Sequence, residues 1–359
     1  MSTATSSQPT RWWRGAFGGA AASLLLVTAC TSSNEPVEPP GVDGTDRELS
    51  FQVEGEQVHS TFTVPHTDQD EELPGALIIS GSGPTDRDGN SDMRPEANTN
   101  LNLSRILTEL GVASLRYDKF GSGETDLGSH DPDSPIDPQV FDDQVVAAYE
   151  ELLAQPEVDP ERTVALGHSE GALYALRLHQ LVPDASPAVV LAAPPGTRYM
   201  DLIDRQLTEQ VRTMESTGAI AENESVNLLS DARAARASIR EGHALPDDLD
   251  PTLESVYAPQ NTDFLAAMDA LDPVDLAEDL PSQTSALVLW GEEDDQVLRE
   301  DVDRLMDGFV QAERVDLPRT DHVFRENEDT PGAAPRLDAD RPFSPDVAPA
   351  LADFLDTVW

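Results

Sequence analysis

The sequence predicts an α/β fold, a mostly parallel sheet covered by helices on both faces. Short apolar runs of the buried-strand kind recur along the chain, helical stretches separate several of them, and an alternating segment precedes them. In chain order, Glu48 to Val64 alternates apolar and polar residues (Phe51, Val53, Val58, Phe62, Val64) and reads as an antiparallel hairpin at a sheet edge. The buried-strand runs are Ala76–Ile79, Val112–Leu115, Thr163–Leu166, Ala188–Leu191 and Ala286–Leu289. Leu101 to Leu110 is the first helical stretch. Val140 to Leu153 is the second, with Phe141, Val145, Tyr149 and Leu152 on one face, and Leu173 to Leu181 is the third.

The alternation stops between Gly196 and about Leu280, where no strand is predicted. Met200, Ile203, Leu207, Val211 and Met214 recur at helical spacing, and Phe264, Leu265 and Met268 begin a second stripe. This segment reads as a helical cap over residues 197–282, inserted into a core made of 46–196 and 283–359. Each apolar residue in the stripes reads as packing against the main domain, while the cap as a whole can line a pocket.

Composition excludes several functions. The 359 residues hold 68 Asp and Glu against 23 Lys and Arg, a net charge of -45. Phosphate backbones would be repelled, so nucleic acid is not an expected partner. Lys119 is the one lysine in the chain, and Cys30 the one cysteine. An intrachain disulfide and a cysteine zinc site are therefore both excluded. The acid-rich, lysine-poor surface fits either a salt-adapted protein or an ordinary acidic secreted one.

The first thirty residues read as an address. Arg11 and Arg14 give a positive start around Trp12 and Trp13, and Gly15 to Ala29 follows without a charge. That run is short for a membrane span and sits where a signal peptide belongs, over residues 1–29. The two arginines are not adjacent, so a twin-arginine signal is not supported. Val27-Thr28-Ala29-Cys30 resembles the lipobox of bacterial lipoproteins, which implies lipidation of Cys30 and an extracytoplasmic, membrane-anchored chain. Ordinary cleavage after Ala29, giving a secreted protein, is the alternative. Residues 30–45, with Pro36, Pro39, Pro40, Gly41 and Gly44, read as a flexible tether.

Strand Thr163–Leu166 runs straight into Gly167-His168-Ser169-Glu170-Gly171, and a helix rich in Ala and Leu follows. This is G-x-S-x-G in a strand-turn-helix context, which presents Ser169 as a nucleophile. The turn is sharp enough that side chains two residues either side of the serine would collide with backbone, hence the glycines. The bland alternative for Ser169 is a helix N-cap. His168 should point away from Ser169 and reads as structural.

A serine hydroxyl needs an imidazole to take its proton and a carboxylate to orient that imidazole. His322 is the histidine downstream of the acid loop, and it follows a plausible last strand, Arg314–Leu317. His59, His66, His130, His179 and His243 read as surface residues. For the acid, strand Ala286–Trp290 ends in Gly291-Glu292-Glu293-Asp294-Asp295-Gln296-Val297, where Asp294 leads and Asp295 and Glu293 compete. A wholly solvated acidic loop is the usual fate of such a run. The oxyanion formed on attack needs two N–H donors. Glu170 N–H should be one, and Ser82 N–H in Ser80-Gly81-Ser82-Gly83-Pro84 the other. No Lys-Ser or Lys-Thr follows this loop, so it fails as a Walker motif. The chemistry requires no metal or other cofactor, and no ligand cluster suggests one.

From about Arg47 to Trp359 the chain resembles serine esterases of the α/β-hydrolase superfamily. The likeness is to a bacterial group with a G-S-G-P-x-D-R-D-G loop, here Gly81 to Gly89, and an R-Y-D-x-x-G-x-G loop, here Arg116 to Gly123. The G-x-x-D-x-x-V form of Gly291 to Val297 carries the acid in that superfamily, which implies Asp294. Many relatives have His where Ser80 stands, and the cap sequence is individual. The resemblance implies an α/β-hydrolase fold with an inserted cap, and hydrolysis of small to medium carboxylic esters through an acyl-enzyme. Asp86, Arg87, Asp88 and Lys119 would then lie near the pocket mouth, unless they form salt bridges that hold loops. A serine peptidase or acyltransferase of the same fold, and a non-catalytic envelope binding protein on this scaffold, are the alternatives.

Overall fold

The computed structural model describes residues 43–67, 72–131, 134–183, 185, 188–254, 256–327 and 337–359. The segment read as leader, Cys30 and the tether as far as residue 42 lie outside the described residues. Among the described residues no helix is long and apolar enough to cross a membrane.

The chain opens with an antiparallel hairpin, β1 (Gly44–Val53) and β2 (Glu56–Pro65). Then follow β3 (Leu73–Ile79), α1 (Thr99–Glu109), β4 (Ala113–Tyr117), α2 (Gln139–Leu153), β5 (Val158–His168), α3 (Gly171–Leu181) and β6 (Ala188–Ala192). After an all-helical segment come β7 (Ser285–Gly291), α8 (Arg299–Met306), β8 (Glu313–Leu317) and α9 (Val347–Val358). One eight-stranded sheet results, in the order β1-β2-β4-β3-β5-β6-β7-β8. β2 meets β4 antiparallel, and every pairing from β4 to β8 is parallel.

Period-two alternation explains why the strands read as continuous apolar runs: both faces are buried. Leu77 and Ile79, Ala165, Val189 and Leu191, and Val288 and Trp290 face one core, shared with α2, α3 and the inserted helices. Ala76 and Ile78, Val164 and Leu166, Val190 and Leu287 face the other, where α1 and α9 supply Leu103, Leu107, Leu351 and Phe354. Each fully buried Val, Leu, Ile or Phe here contributes about 1.5–3 kcal/mol relative to exposure.

Between β6 and β7 no strand intervenes among the described residues. The helices there are α4 (Tyr199–Ser216), α5 (Glu222–Arg240), α6 (Thr262–Ala270) and α7 (Pro273–Glu278). α4, α5 and α6 pack on one another, while α7 packs on α3 and α8. Buried Asp269 ties the group together: it accepts from Met200 N–H at 2.9 Å and from Arg240 Nε at 2.7 Å. Burial works to raise the Asp269 carboxyl, but the Arg240 and Met200 hydrogen bonds and the charges of Arg240 and Arg198 hold it below the usual range.

Candidate active site

Every loop that carries a candidate residue leaves the C-terminal end of a parallel strand, so the sheet delivers them all to one edge. β3 sits between β4 and β5, the switch point at which open α/β sheets form a crevice. Ser80-Gly81-Ser82 follows β3, Ser169 follows β5, Asp294 follows β7 and His322 follows β8.

Ser169 stands in the left-handed region, with φ of 54°. For a serine that conformation costs on the order of 1–3 kcal/mol, so the surroundings must impose it. Its N–H donates to Ala192 O at 2.8 Å. A Cβ on Gly167 would run into the backbone of Gly171, and one on Gly171 into the carbonyls of Ile79 and Ser80. α3 can therefore start directly behind the turn, its first N–H groups and positive dipole end facing the serine.

Asp294 is built into its loop by the spacing of its neighbours. Its N–H donates to Gly291 O at 3.1 Å, and its Oδ1 accepts from Gln296 N at 2.8 Å and Val297 N at 2.9 Å. That turn leaves Oδ2 free to face the imidazole. The competitors point elsewhere: Asp295 is exposed, and exposed Glu293 accepts from Asn327.

His322 Nδ1 lies 2.8 Å from Asp294 Oδ2, and Nε2 lies 3.1 Å from Ser169 Oγ. A carboxylate only accepts, so Nδ1 carries the proton toward Asp294 and Nε2 accepts from the serine hydroxyl. The structure thus brings together the three residues that the sequence singled out, from positions spread over half the chain. Asp321 shapes the His322 loop, accepting from Val323 N at 3.0 Å and Arg325 N at 2.9 Å. Arg341 pairs with it at 2.7 Å and Arg94 at 3.5 Å. Burial works to raise the Asp321 carboxyl, but these cations and the Arg325 N–H hold it below the usual range.

His168 does not aim at Ser169. Its Nε2 meets the backbone carbonyl of His322 at 2.9 Å, and its ring lies 5.1 Å from that of His322. Burial, followed by the neighbouring His322, pushes its pKa down to about 4, so it stays neutral and donates Nε2–H to that carbonyl.

Ser82, Ser169, Glu170 and His322 border a common depression, closed on the other sides by Pro195, Tyr199, Leu202, Gln206, Gln296 and Val297. Its empty volume is about 290 Å3, solvent at the mouth included. Tyr199, Leu202 and Gln206 belong to α4, so the insertion supplies one wall. Arg205 fastens that helix over the acid loop, pairing with Asp301 at 2.6 Å and donating to Gln296 O at 3.1 Å. Opposite it, Gly81 packs so close that an added Cβ would lie 3.2 Å from Ser169 Cβ.

Asp86, Arg87, Asp88 and Lys119 do not line the depression. Arg87 is buried against Asp118 at 2.8 Å and also holds Glu48 and Glu124. Asp88 pairs with Arg116 at 2.9 Å. Asp86 accepts from the Asp88 and Asn90 N–H groups and closes its own loop. Loop-holding ion pairs and turns, rather than a place at the pocket mouth, are what these residues form. Ser80 is held by Asn100, whose Nδ2 donates to it at 2.8 Å, and it donates to Asp86 O at 3.1 Å.

Three features escaped the sequence reading. One is the Arg94–Asp321–Arg341 clamp. The others are Tyr199 in the wall and its hydrogen bond to buried Glu170. Among the described residues no group of three or more His, Cys, Asp or Glu is placed to hold a metal ion.

A family model described as an alpha/beta hydrolase family matches residues 101–334, more than half the chain. No curated protein matches the sequence. Solved structures with the same fold include Est1E from Butyrivibrio proteoclasticus with ferulic acid bound, at 18% identity and TM-score 0.52, covering 86% of this chain and 98% of that one. A proline iminopeptidase from Mycobacterium smegmatis is similar at 17% identity and TM-score 0.53, covering 87% and 98%. The Pyrococcus furiosus esterase PF2001 is similar at 14% identity and TM-score 0.51, covering 88% and 91%. At these identities the likeness is one of fold.

Proposed function

The chain belongs to the alpha/beta hydrolase family, and from that premise we propose that it is a serine hydrolase cleaving small to medium carboxylic esters. The observation that carries this reading is the Ser169–His322–Asp294 row, at 3.1 and 2.8 Å.

In this reading His322 Nε2 takes the proton as Ser169 Oγ attacks the ester carbonyl. Asp294 keeps Nδ1–H in place and stabilises the imidazolium. The carbonyl oxygen becomes an oxyanion, held by the Ser82 and Glu170 N–H groups. Collapse breaks the ester C–O bond, and the alcohol leaves with the proton from His322. Water, deprotonated by His322, then attacks the acyl-enzyme. The carboxylic acid departs and the serine recovers its proton.

The walls that α4 and the acid loop raise beside Ser169 favour short acyl groups. Pro195, Leu202 and Val297 offer them apolar contact, with Gln206 and Gln296 as polar neighbours. We infer that the 197–282 insertion is the cap that sets this limit. Turnover of p-nitrophenyl acetate, butyrate and octanoate beside the matching anilides tests the reading. The expected result is ester cleavage that falls with acyl length and no anilide cleavage. Anilide cleavage at a rate comparable to the esters would turn the reading to a peptidase.

The sequence at Val27–Cys30 further supports an exported chain anchored through a lipid on Cys30. Mass spectrometry of the N-terminal peptide from bacterial membranes tests it: an acylated Cys30 is expected, and an unmodified chain beginning there or later contradicts it.

A further inference from the structure

Lys119 is the one lysine in a chain that otherwise uses arginine, and its side chain is only 6% exposed. A buried lysine is costly unless its N–H donors are met, and its ammonium is a compact point charge where an arginine presents a planar fork. Lys119 Nζ donates to Glu170 Oε1 at 2.7 Å and to Gly81 O at 3.0 Å. It also lies over the Phe141 ring, 5.4 Å from the centroid. The second carboxylate oxygen of Glu170 accepts from Tyr199 OH at 2.7 Å. Burial and the Glu170 charge hold the Tyr199 phenol well above its ordinary pKa, so that hydroxyl remains a donor.

The two contacts of Lys119 fall on the two segments that carry the oxyanion donors. Gly81 C=O and Ser82 N–H are the two ends of one planar trans peptide, so they point in opposite directions. A donor holding the carbonyl fixes where the N–H aims, and polarises that peptide into a stronger donor. The same ammonium grips the side chain of Glu170, whose own N–H is the other donor.

We propose that Lys119 is a positioning residue of the oxyanion site: by holding Gly81 O and Glu170 together it aims the Ser82 and Glu170 N–H groups at the oxyanion. Lys119 touches no substrate in this arrangement, and Tyr199 extends the link to the first helix of the insertion. The inference rests on the ester-hydrolase reading above.

The test compares the wild type with Lys119→Met and with Lys119→Met/Glu170→Gln; the double variant leaves no buried charge unpaired and keeps the test open if the single variant fails to fold. Rates with p-nitrophenyl acetate are expressed per active site counted by fluorophosphonate titration. Affinity is measured for a phenyl trifluoromethyl ketone, which adds to the serine as a hemiketal oxyanion. The expected result is a kcat per site lowered roughly 10- to 100-fold, part of the 10²–10³ attached to a whole donor. KM should stay within about threefold and the ketone Ki should rise in step with the loss of kcat. A double variant with wild-type kcat per site and unchanged Ki would make Lys119 mere packing and overturn the proposal. A wild type that neither turns over p-nitrophenyl acetate nor is labelled at Ser169 by a fluorophosphonate would remove the hydrolase reading itself, and the role of Lys119 with it.

Discussion

His168 and His322, far apart in sequence, are joined by one hydrogen bond: Nε2 of the first meets the backbone carbonyl of the second at 2.9 Å. His168, which precedes Ser169, thus supports the loop that carries His322.

Burial, against the opposing pull of that bond, gives His168 a measurable acid signature. Its pKa is lowered from 6.5 to about 4 in the folded chain. Between those values the unfolded chain binds a proton that the folded one does not. Stability therefore falls as pH drops from about 6.5 to about 4, by at most about 3 kcal/mol. His168→Gln keeps an N–H donor for the His322 carbonyl but cannot titrate. Urea unfolding at neutral and acid pH should show the wild type losing more stability than His168→Gln on acidification. Parallel losses would contradict this.

Asp294→Asn keeps the size of the side chain but removes an acceptor that selects the His322 tautomer. Because Asp294 also holds the Gln296 and Val297 N–H groups, one oxygen still closes the loop. Thermal unfolding should change little. kcat should fall about 10⁴-fold, the loss found when a triad carboxylate becomes an amide. A loss below tenfold would move the acid role to another carboxylate.

Net charge makes its own prediction. With -45 on the chain, repulsion among carboxylates opposes compactness. The screening length shrinks to about 3 Å at molar salt, from about 10 Å at 0.1 M. The melting temperature should rise between about 0.1 M and about 1 M NaCl. A flat or falling curve would mean that ion pairs such as Arg205–Asp301, at 2.6 Å, already offset the repulsion.

The sheet was legible because its strands are buried on both faces, which leaves apolar runs such as Ala76–Ile79 with no polar face to confuse them. The convergence of Ser169, Asp294 and His322 was legible because local geometry demands particular neighbours. Gly167 and Gly171 clear the turn, and Gly291 and Val297 are the residues whose backbone bonds Asp294. α5 was read only as part of the helical insertion, without a stripe of its own, for a physical reason: its buried face is Ser225, Ala232, Ala235 and Ile239, too weak to stand out among Arg and Glu. α9 carries a stronger stripe, Val347, Leu351, Phe354 and Leu355, which the reading did not use. Lys119, Glu170 and Tyr199 come from a loop, an elbow and the insertion, so only the fold brings them into contact. The lone lysine was visible, but its burial was not.

If esters acylate Ser169 with His322 as its base, the turnover of p-nitrophenyl acetate by Ser169→Ala beside the wild type, each shown to be folded, decides it. The expected result is a kcat lower by roughly 10⁶-fold. Turnover equal to that of the wild type would contradict it.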